Sequence, residues 1–302
     1  MDGTVLSRLL KRRNPAYIGA RLVRRMLPEF VAHRLLSKRH LAPKDIYESM
    51  SRTYTNAIKQ AGLVELFGPA ASLTVLEAGT GFYNPATAPL LLSGVRRLIL
   101  LEPFIGPNPD YARFRERFDS LLRFAREDPE YPLPRNDALL TAAGSNGLPG
   151  GIELSRHLWE NTGLPSNSID GVFSASVLEH LRDPDAVLRE CGRILKPGGF
   201  MVNAIDLRDH FFRYPFEMLK YSRAGWKLLT TGSGGSGYQN RWRIGHWFDA
   251  LARHGFESTV VRSSEFQELA ERERPYFDPE FRGLPIEQLR VLGALVISRR
   301  AV

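Results

Sequence analysis

Three titratable residues stand close together after an apolar stretch that ends at position 206. Asp206, Asp209 and His210 fall within a span of five residues, and residues 199–206 have the composition of a buried strand. A histidine that is oriented by a neighbouring carboxylate can act as a general base near neutral pH. His210 is therefore a candidate base, with Asp206 and Asp209 as its orienting groups. A solvated turn after a strand fits the same pattern equally well.

A second pair, Glu179 and His180, follows another apolar stretch at 169–175. If the two apolar stretches are parallel strands of one sheet, their carboxyl ends lie at the edge where ligands of such sheets collect. His180 is then a second candidate base. For Glu179 we favour a role in helix capping and loop structure over a catalytic one.

A glycine-rich turn between two predicted strands is typical of a nucleotide site. Gly79 and Gly81 follow the first strand, and the second strand ends on Glu102. Glycine allows a sharp turn with room for a ligand, and an acid at the second position can accept hydrogen bonds from both hydroxyls of a ribose. Asn84 stands where the dinucleotide fingerprint has its third glycine. The turn therefore favours an adenosine-type ligand without a pyrophosphate; a turn that binds nothing is the alternative.

The apolar periodicity from Thr74 onward predicts alternating strands and helices. This alternation is typical of βαβ units. It predicts an α/β fold with a doubly wound, mostly parallel, seven-stranded sheet and helices on both faces. The predicted strands are 73–78, 95–102, 152–158, 169–175, 199–206, 257–263 and 291–298. The predicted helices of this part are 84–93, 110–127, 184–196, 215–230 and 242–254.

We divide the chain into two parts at position 67. Residues 1–67 are predicted to form a basic, amphipathic helical arm or cap, and residues 68–302 a single domain. Within that domain, the proline-containing stretch at about 105–150 is interpreted as an insertion. The glycine- and serine-rich stretch 230–240 is expected to be a mobile loop.

The positive charge of the chain is concentrated near its start. The 302 residues carry a formal net charge of +8, and residues 1–45 account for this excess. Leucines are interleaved there at helical spacing, so we favour an arm that packs on the body. Attachment to an anionic membrane surface is an alternative, and nucleic-acid binding is a less favoured one. The single cysteine and the lack of an apolar stretch of ~20 residues predict a cytoplasmic protein, or one peripheral to the membrane.

Four motifs occur in a fixed order along the chain and together resemble one family. They are "EAGTG" at 77–81, the acid Glu102, "SIDGVFSASVLEHL" at 168–181 and "LKPGG" at 195–199. Over residues 73–206 the sequence resembles the class I S-adenosylmethionine (SAM)-dependent methyltransferases. The resemblance implies a Rossmann-like fold, methyl transfer and SAM as the cofactor.

The resemblance also implies which residues hold the cofactor. The expected sets are Glu77, Gly79, Thr80 and Gly81 at the methionine end, Glu102 and Pro103 at the ribose, Trp159 and Glu160 near the adenine, and Ser174 and Ser176 beside the sulfonium. Some methyltransferases of this kind bind a metal through an E-x-x-E-H motif. Because Ser176 replaces its first glutamate here, a divalent metal is not expected.

The segment "GYQNRWRIGHW" at 237–247 is predicted to meet the methyl acceptor. Asn240 and Arg241, with Arg243, suit an anionic or hydroxyl-rich molecule, and Tyr238 can stack on a sugar or another ring. We expect O-methylation, rather than N-methylation, of a small molecule or a sugar-containing (glycan) intermediate. The alternatives are an RNA methyltransferase that uses the basic arm and a non-catalytic SAM-binding scaffold.

Overall fold

The computed structural model describes residues 44–79, 81, 83–140, 148–212, 214–230 and 238–302. The predicted arm at 1–45 lies almost entirely outside these residues. So do Thr80, from the predicted cofactor site, and most of the predicted loop at 230–240. None of the helices in the described ranges is long and apolar enough to cross a membrane.

Seven strands form one sheet in the order β3-β2-β1-β4-β5-β7-β6. Strands β1 to β5 pair in parallel, whereas β7 is antiparallel to both of its neighbours, β5 and β6. The predicted mostly parallel, seven-stranded α/β sheet is therefore confirmed. The strands are β1 (Leu73–Ala78), β2 (Val95–Leu101), β3 (Ile152–Ser155), β4 (Ile169–Ala175), β5 (Leu195–Asp206), β6 (Phe256–Glu265) and β7 (Val291–Arg300).

Helices cover both faces of the central strands, which explains why those strands are continuous apolar runs. The helices are α1 (Lys44–Gln60), α2 (Tyr111–Glu127), α3 (Pro184–Ile194), α4 (Arg223–Thr230), α5 (Ile244–Arg253), α6 (Gln267–Glu273), α7 (Pro279–Arg282) and α8 (Ile286–Leu289). Aspartates begin two of them: Asp110 accepts a hydrogen bond from the amide of Arg113, and Asp183 from the amide of Ala186. Each caps an amide that the helix itself leaves unpaired.

Two predictions between the strands were wrong. The predicted helix 84–93 is only a short 3-10 helix, Ala88–Ser93, because Pro85 and Pro89 lack the amide hydrogens of an α-helical ladder. No α-helix N-terminus therefore faces the glycine turn from this segment. The predicted helix 215–230 is divided into a 3-10 helix, Glu217–Lys220, and α4.

The stretch 105–150, interpreted as an insertion, contains α2, which is the crossover between β2 and β3. One face of α2 contributes Phe114, Phe118 and Leu122 to the main hydrophobic cluster. Helix α1 contributes to the same cluster, where Tyr54 meets Phe173 of β4 edge to face, with 5.1 Å between ring centroids. The described part of the predicted arm is thus packed into the core.

Two further hydrophobic clusters complete the core. The second lies under α3 and α5 and includes Trp159, Cys191 and Trp247. The third is built from segments that follow β5, and it is rich in aromatic rings such as Phe216, Trp226 and Phe281. Trp226 and Phe281 of this third cluster line a cavity that is described below.

Candidate active site

The carboxyl ends of four strands bring most of the predicted site residues to one edge of the sheet. Ala78, the last residue of β1, pairs with Leu101 of β2 on one side and with Ser174 of β4 on the other. Ser174 pairs in turn with Asn203 of β5. Because the chain leaves the adjacent strands β1 and β4 toward opposite ends of the sheet, a crevice forms between them, as in other open α/β sheets.

The turn after β1 depends on glycine at two positions. Gly79 has φ +66° and Gly81 has φ +95°, values that residues with a Cβ rarely adopt. A Cβ on Gly79 would also lie 3.0 Å from Cγ1 of Val177, in the segment that follows β4. The backbones of the two crevice walls therefore approach each other closely here.

Glu102, immediately after β2, faces the same turn. Its Oε1 accepts a hydrogen bond from the amide of Gly81 at 2.8 Å. Burial raises the pKa of Glu102 to about 7, although the Gly81 amide opposes that rise. A carboxylate offers about four lone-pair sites, so one amide donor leaves capacity for the two hydroxyls of a ribose. Pro103 follows it, half-buried, and the ring of Phe104 beyond is 85% exposed.

The Glu77 carboxylate accepts hydrogen bonds from the protein itself and does not face an open site. The side chain is 1% exposed and accepts hydrogen bonds from the amides of Ala86 and Thr87 and from the Thr87 hydroxyl. It therefore holds the segment before the 3-10 helix against the end of β1. A role at the methionine end of the cofactor is indirect, through the shape of the turn.

The predicted adenine residues are divided between the core and the surface. Trp159 is 5% exposed and packs in the second hydrophobic cluster, so its ring offers little surface to a ligand. Glu160 is exposed beside it. The expectation of an adenine site here came from the family resemblance, which does not distinguish a ring of the core from one that faces a ligand.

The two predicted sulfonium residues also differ. Ser174 is fully buried, and its hydroxyl donates a hydrogen bond to Oδ1 of Asn203 at 2.8 Å. Ser176 is exposed and adopts φ +53°. It lines an open cavity of about 400 Å³ at the ends of β4 and β5, together with Asp206 and Arg208.

His180 lies behind this cavity with one ring nitrogen already used. Its Nδ1 is 2.6 Å from the carbonyl oxygen of Tyr238. A carbonyl can only accept, so Nδ1 carries the hydrogen, and Nε2 bears the lone pair in the neutral ring. Burial lowers the pKa of His180, which favours the neutral ring.

His210 forms an ion pair with Asp206 across a distance of 3.1 Å between Nε2 and Oδ2. Arg208 binds the same carboxylate, with 2.6 Å from Nη2 to Oδ2. Burial alone would raise the pKa of Asp206, but hydrogen bonds from Arg208 and His210 outweigh it and hold the pKa well below its usual range. Asp206 is therefore ionised, and its carboxylate faces Nε2 of His210.

The structure brings His180 and His210 together, although thirty positions separate them in sequence. Their ring centroids are 5.1 Å apart. Glu179 lies beside them, 4.0 Å from Oε1 to Nε2 of His180. Its carboxylate is buried and faces the backbone amides of Glu179 and Asp206, yet neither oxygen makes a well-formed hydrogen bond. Burial raises the pKa of Glu179 to about 8, so the interpretation of Glu179 as a capping residue was incomplete.

Asp209 is placed differently from its predicted role as an orienting carboxylate. It is 3% exposed, and its Oδ1 accepts a hydrogen bond from the amide of Phe212 at 2.6 Å. Burial raises the pKa of Asp209 to about 7. The residue closes the turn after β5, and Asp206 is the carboxylate that meets His210.

Gln239, which sequence reasoning did not single out, ties the acceptor segment to the histidines. Its side chain accepts from the amide of His210 at 2.7 Å and donates to the carbonyl of Arg208 at 2.7 Å. Its own carbonyl accepts from Nε1 of Trp226 at 2.8 Å. No local pattern marks a glutamine whose partners lie thirty residues earlier in the chain.

The polar side chains of the predicted acceptor segment are largely used by the protein. Asn240 donates to the carbonyl of Leu178, and Arg241 to that of Tyr221. Arg243 is fully buried and donates to the carbonyls of Leu207, Leu289 and Val291; burial lowers its pKa to about 9. These three residues fix the segment in place. Tyr238 and Asn240 are half-exposed, whereas Arg241 and Arg243 are buried.

A family model for a methyltransferase domain matches residues 134–203. This range spans β3, β4, α3 and most of β5, which supply Ser176, Glu179 and His180 to the crevice. Over these residues the chain is similar to a methyltransferase domain, in agreement with the resemblance of its motifs to the class I SAM-dependent methyltransferases. Of the remaining strands, β1 and β2 lie between β3 and β4 in the sheet, and β7 and β6 extend it beyond β5.

Several solved structures are similar to this chain at low sequence identity. A protein from Galdieria sulphuraria, provisionally assigned as a sarcosine dimethylglycine methyltransferase, is 14% identical with a TM-score of 0.47, covering 84% of this chain and 86% of that one. A SAM-dependent methyltransferase from Mesorhizobium loti is 19% identical with a TM-score of 0.43, covering 80% of this chain and 96% of that one. At this level of similarity, neither match bears on the substrate.

The family implies SAM, and the residues at the ends of β1 and β2 fit it. Gly79 and Gly81 keep side chains out of the turn, and the Glu102 carboxylate has acceptor capacity left. For a metal, Glu179, His180 and His210 of the methyltransferase each offer one ligand atom, and these atoms lie within 4.8 Å of one another. His210 is a candidate third ligand that does not belong to the short sequence motif.

Proposed function

We propose that this methyltransferase transfers the methyl group of SAM to a hydroxyl oxygen of a small molecule or a sugar-containing intermediate. The observation that supports the proposal is the pair His210 and Asp206 beside the cavity that Ser176 lines. A hydroxyl needs a base to take its proton as the new bond forms. An ionised Asp206 on one nitrogen of His210 prepares the ring to accept that proton.

SAM, when bound, would supply an electrophilic methyl group on a sulfonium, with a thioether as the leaving group. Glu102 would accept hydrogen bonds from the ribose hydroxyls, and the turn at Gly79 would let the backbone lie against the methionine portion. Ser176, at the end of β4, would stand beside the reacting centre. The protein's main contribution is to hold the acceptor oxygen in line with the methyl group.

His180 and Glu179 would support the proton transfer from the other side. The neutral form of His180, held by the Tyr238 carbonyl, avoids a second positive charge 5.1 Å from the His210 ring. Glu179, whose pKa is about 8, is protonated near neutral pH and adds no second negative charge beside Asp206. The catalytic cluster of Glu179, His180, Asp206 and His210 can therefore take up one proton without a large change in the charges around it.

The direct test is to incubate the purified protein and a cell extract with SAM labelled in its methyl group. Mass spectrometry then identifies the labelled compound and the atom that carries the label. A labelled ether oxygen on a small molecule or glycan supports the proposal. Label recovered only in RNA, or no label in any compound despite SAM binding, would contradict it.

A further inference from the structure

A second cavity lies on the far side of the segment that holds His180. It has a volume of about 460 Å³ and is bounded by the start of α3, by α4, by residues 238–242 and by α7. This volume lies in the range of small-molecule sites in proteins. Neither histidine of the catalytic cluster lines it, so it is distinct from the cavity beside Ser176.

The walls of this cavity carry an excess of positive charge. Arg182, Arg223, Lys227 and Arg241 contribute to the lining, and Glu280 is the carboxylate among them. Glu280 is already shared: it accepts from Arg223 at 2.7 Å and from Arg241 at 3.3 Å. One carboxylate cannot balance the three arginines, so the cavity favours an anionic ligand.

Arg182 is the cation best placed to receive that ligand. It is exposed, and its guanidinium lies 4.9 Å from the centroid of the Tyr238 ring. A guanidinium on an aromatic face keeps its donors available at the edge and binds phosphate or carboxylate in a bidentate manner. The arginine is therefore oriented without the use of a carboxylate partner.

Aromatic residues line the rest of the cavity. Tyr238 and Trp242 contribute half-exposed side chains, whereas Trp226 and Phe281 are buried behind the surface. Trp226 is fixed by the hydrogen bond from its Nε1 to the Gln239 carbonyl, and Phe281 belongs to the third hydrophobic cluster. Rigid rings beside charged groups suit a ligand that has both an apolar face and an oxyanion, such as a sugar ring that carries an acidic group.

The same short segment forms a wall of this cavity and orients the catalytic cluster. The Tyr238 ring faces the cavity, while the Tyr238 carbonyl receives the hydrogen bond from His180. The Asn240 amide donates to the carbonyl of Glu179 at 2.8 Å. A ligand in the cavity would therefore lie next to the residues that we propose to handle the acceptor proton.

We propose that this cavity binds an oxyanion, a phosphate or a carboxylate, carried by a sugar ring, and that it anchors the acidic part of the methyl acceptor. The assignment of the ligand to the acceptor rests on the proposed function. The binding site itself does not, because it follows from the charge and the rings of the cavity. Arg182 is the main anion-binding residue, and Tyr238 contacts the ring.

The test is calorimetric titration of the full chain with glucose 1-phosphate, glucuronate, glucose and inorganic phosphate. We expect at least one acidic sugar to bind about tenfold or more tightly than glucose, since charge-assisted hydrogen bonds are lost with the neutral sugar. The stronger of the two acidic sugars identifies the oxyanion. Arg182→Ala should weaken that binding about tenfold, and Arg182→Lys should weaken it less. Tyr238→Leu should reduce the ratio of the affinity for the acidic sugar to the affinity for inorganic phosphate.

Arg189→Ala is the matched control, because Arg189 is an exposed arginine on α3 outside the cavity lining. The proposal is overturned if glucose and the acidic sugars bind alike, or if Arg189→Ala weakens binding as much as Arg182→Ala. A parallel SAM titration separates the two proposals. If the unmodified chain binds SAM but does not prefer acidic sugars over glucose, only the anion site is refuted. If the unmodified chain does not bind SAM, the proposed function is refuted.

Discussion

The two ends of the crevice, at β1–β2 and at β4–β5, are assembled in different ways. The cofactor end takes Gly79, Gly81 and Glu102 from one continuous stretch of chain. The acceptor end takes its groups from three separate segments, after β4, after β5 and at 238–241. The first end can thus be encoded by a local motif, and the second exists only when the fold is complete.

Each end nevertheless contains one carboxylate that accepts several hydrogen bonds and one that accepts a single hydrogen bond or none that is well formed. Glu77 and Asp206 receive several hydrogen bonds each, whereas Glu102 receives one from Gly81 and Glu179 has no well-formed one. The poorly bonded carboxylates have pKa values raised by burial, to about 7 and about 8. Raised pKa values of this kind are common where a protein contacts a ligand.

The largest effect is expected at the acceptor end. His210→Ala should lower methyl transfer to the acceptor by about 10²–10⁴-fold, the usual contribution of a general base, and leave the SAM dissociation constant unchanged. The control is His157→Ala, at an exposed histidine after β3. Unchanged turnover in the His210 variant would show that the base has been assigned to the wrong residue.

At the cofactor end, Glu102→Ala should weaken SAM binding by about 1–3 kcal/mol, the scale of a lost hydrogen bond to a charged group. Titration calorimetry measures this directly. Glu257→Ala, at an exposed glutamate in β6, serves as the comparison. Equal losses in the two variants would mean that Glu102 does not contact the ribose.

Gly79→Ala, in the turn between the two ends, should lower the stability of the protein. The left-handed conformation costs a residue with a Cβ roughly 1–2 kcal/mol, and the new methyl would lie 3.0 Å from Cγ1 of Val177. The free energy of unfolding, from denaturant titration, should fall by about that amount. Gly106→Ala, where a Cβ would meet no atom within 4 Å, should change it little.

The smallest effect is a pH dependence that distinguishes the two ends. Because the pKa of Glu102 is about 7 and ribose hydroxyls donate to the ionised form, SAM affinity should rise about tenfold between pH 6 and pH 8. Glu102→Gln should remove that dependence, which calorimetry at both pH values would reveal. A rise that persists in the variant would have to come from another group.

The sheet and the glycine turn could be predicted from sequence because their signals are local. Strand β1 was predicted at its observed bounds, and Gly79 and Gly81 occupy the positive φ values that the turn needs. The approach of His180 to His210 and the Gln239 hydrogen bonds could not be predicted, since they depend on how the segments after β4 and β5 pack. Trp159 was expected near the adenine from the family resemblance, and the sequence does not reveal that its ring packs in the second hydrophobic cluster.

The account depends most on SAM binding at the ends of β1 and β2. The most direct measurement is calorimetric titration of the full chain with SAM and its demethylated product, with NAD and ATP as competitors. We predict one site per chain for the two adenosyl compounds and no displacement by either nucleotide. Tight binding of NAD or ATP, with no heat from SAM or its product, would contradict the account.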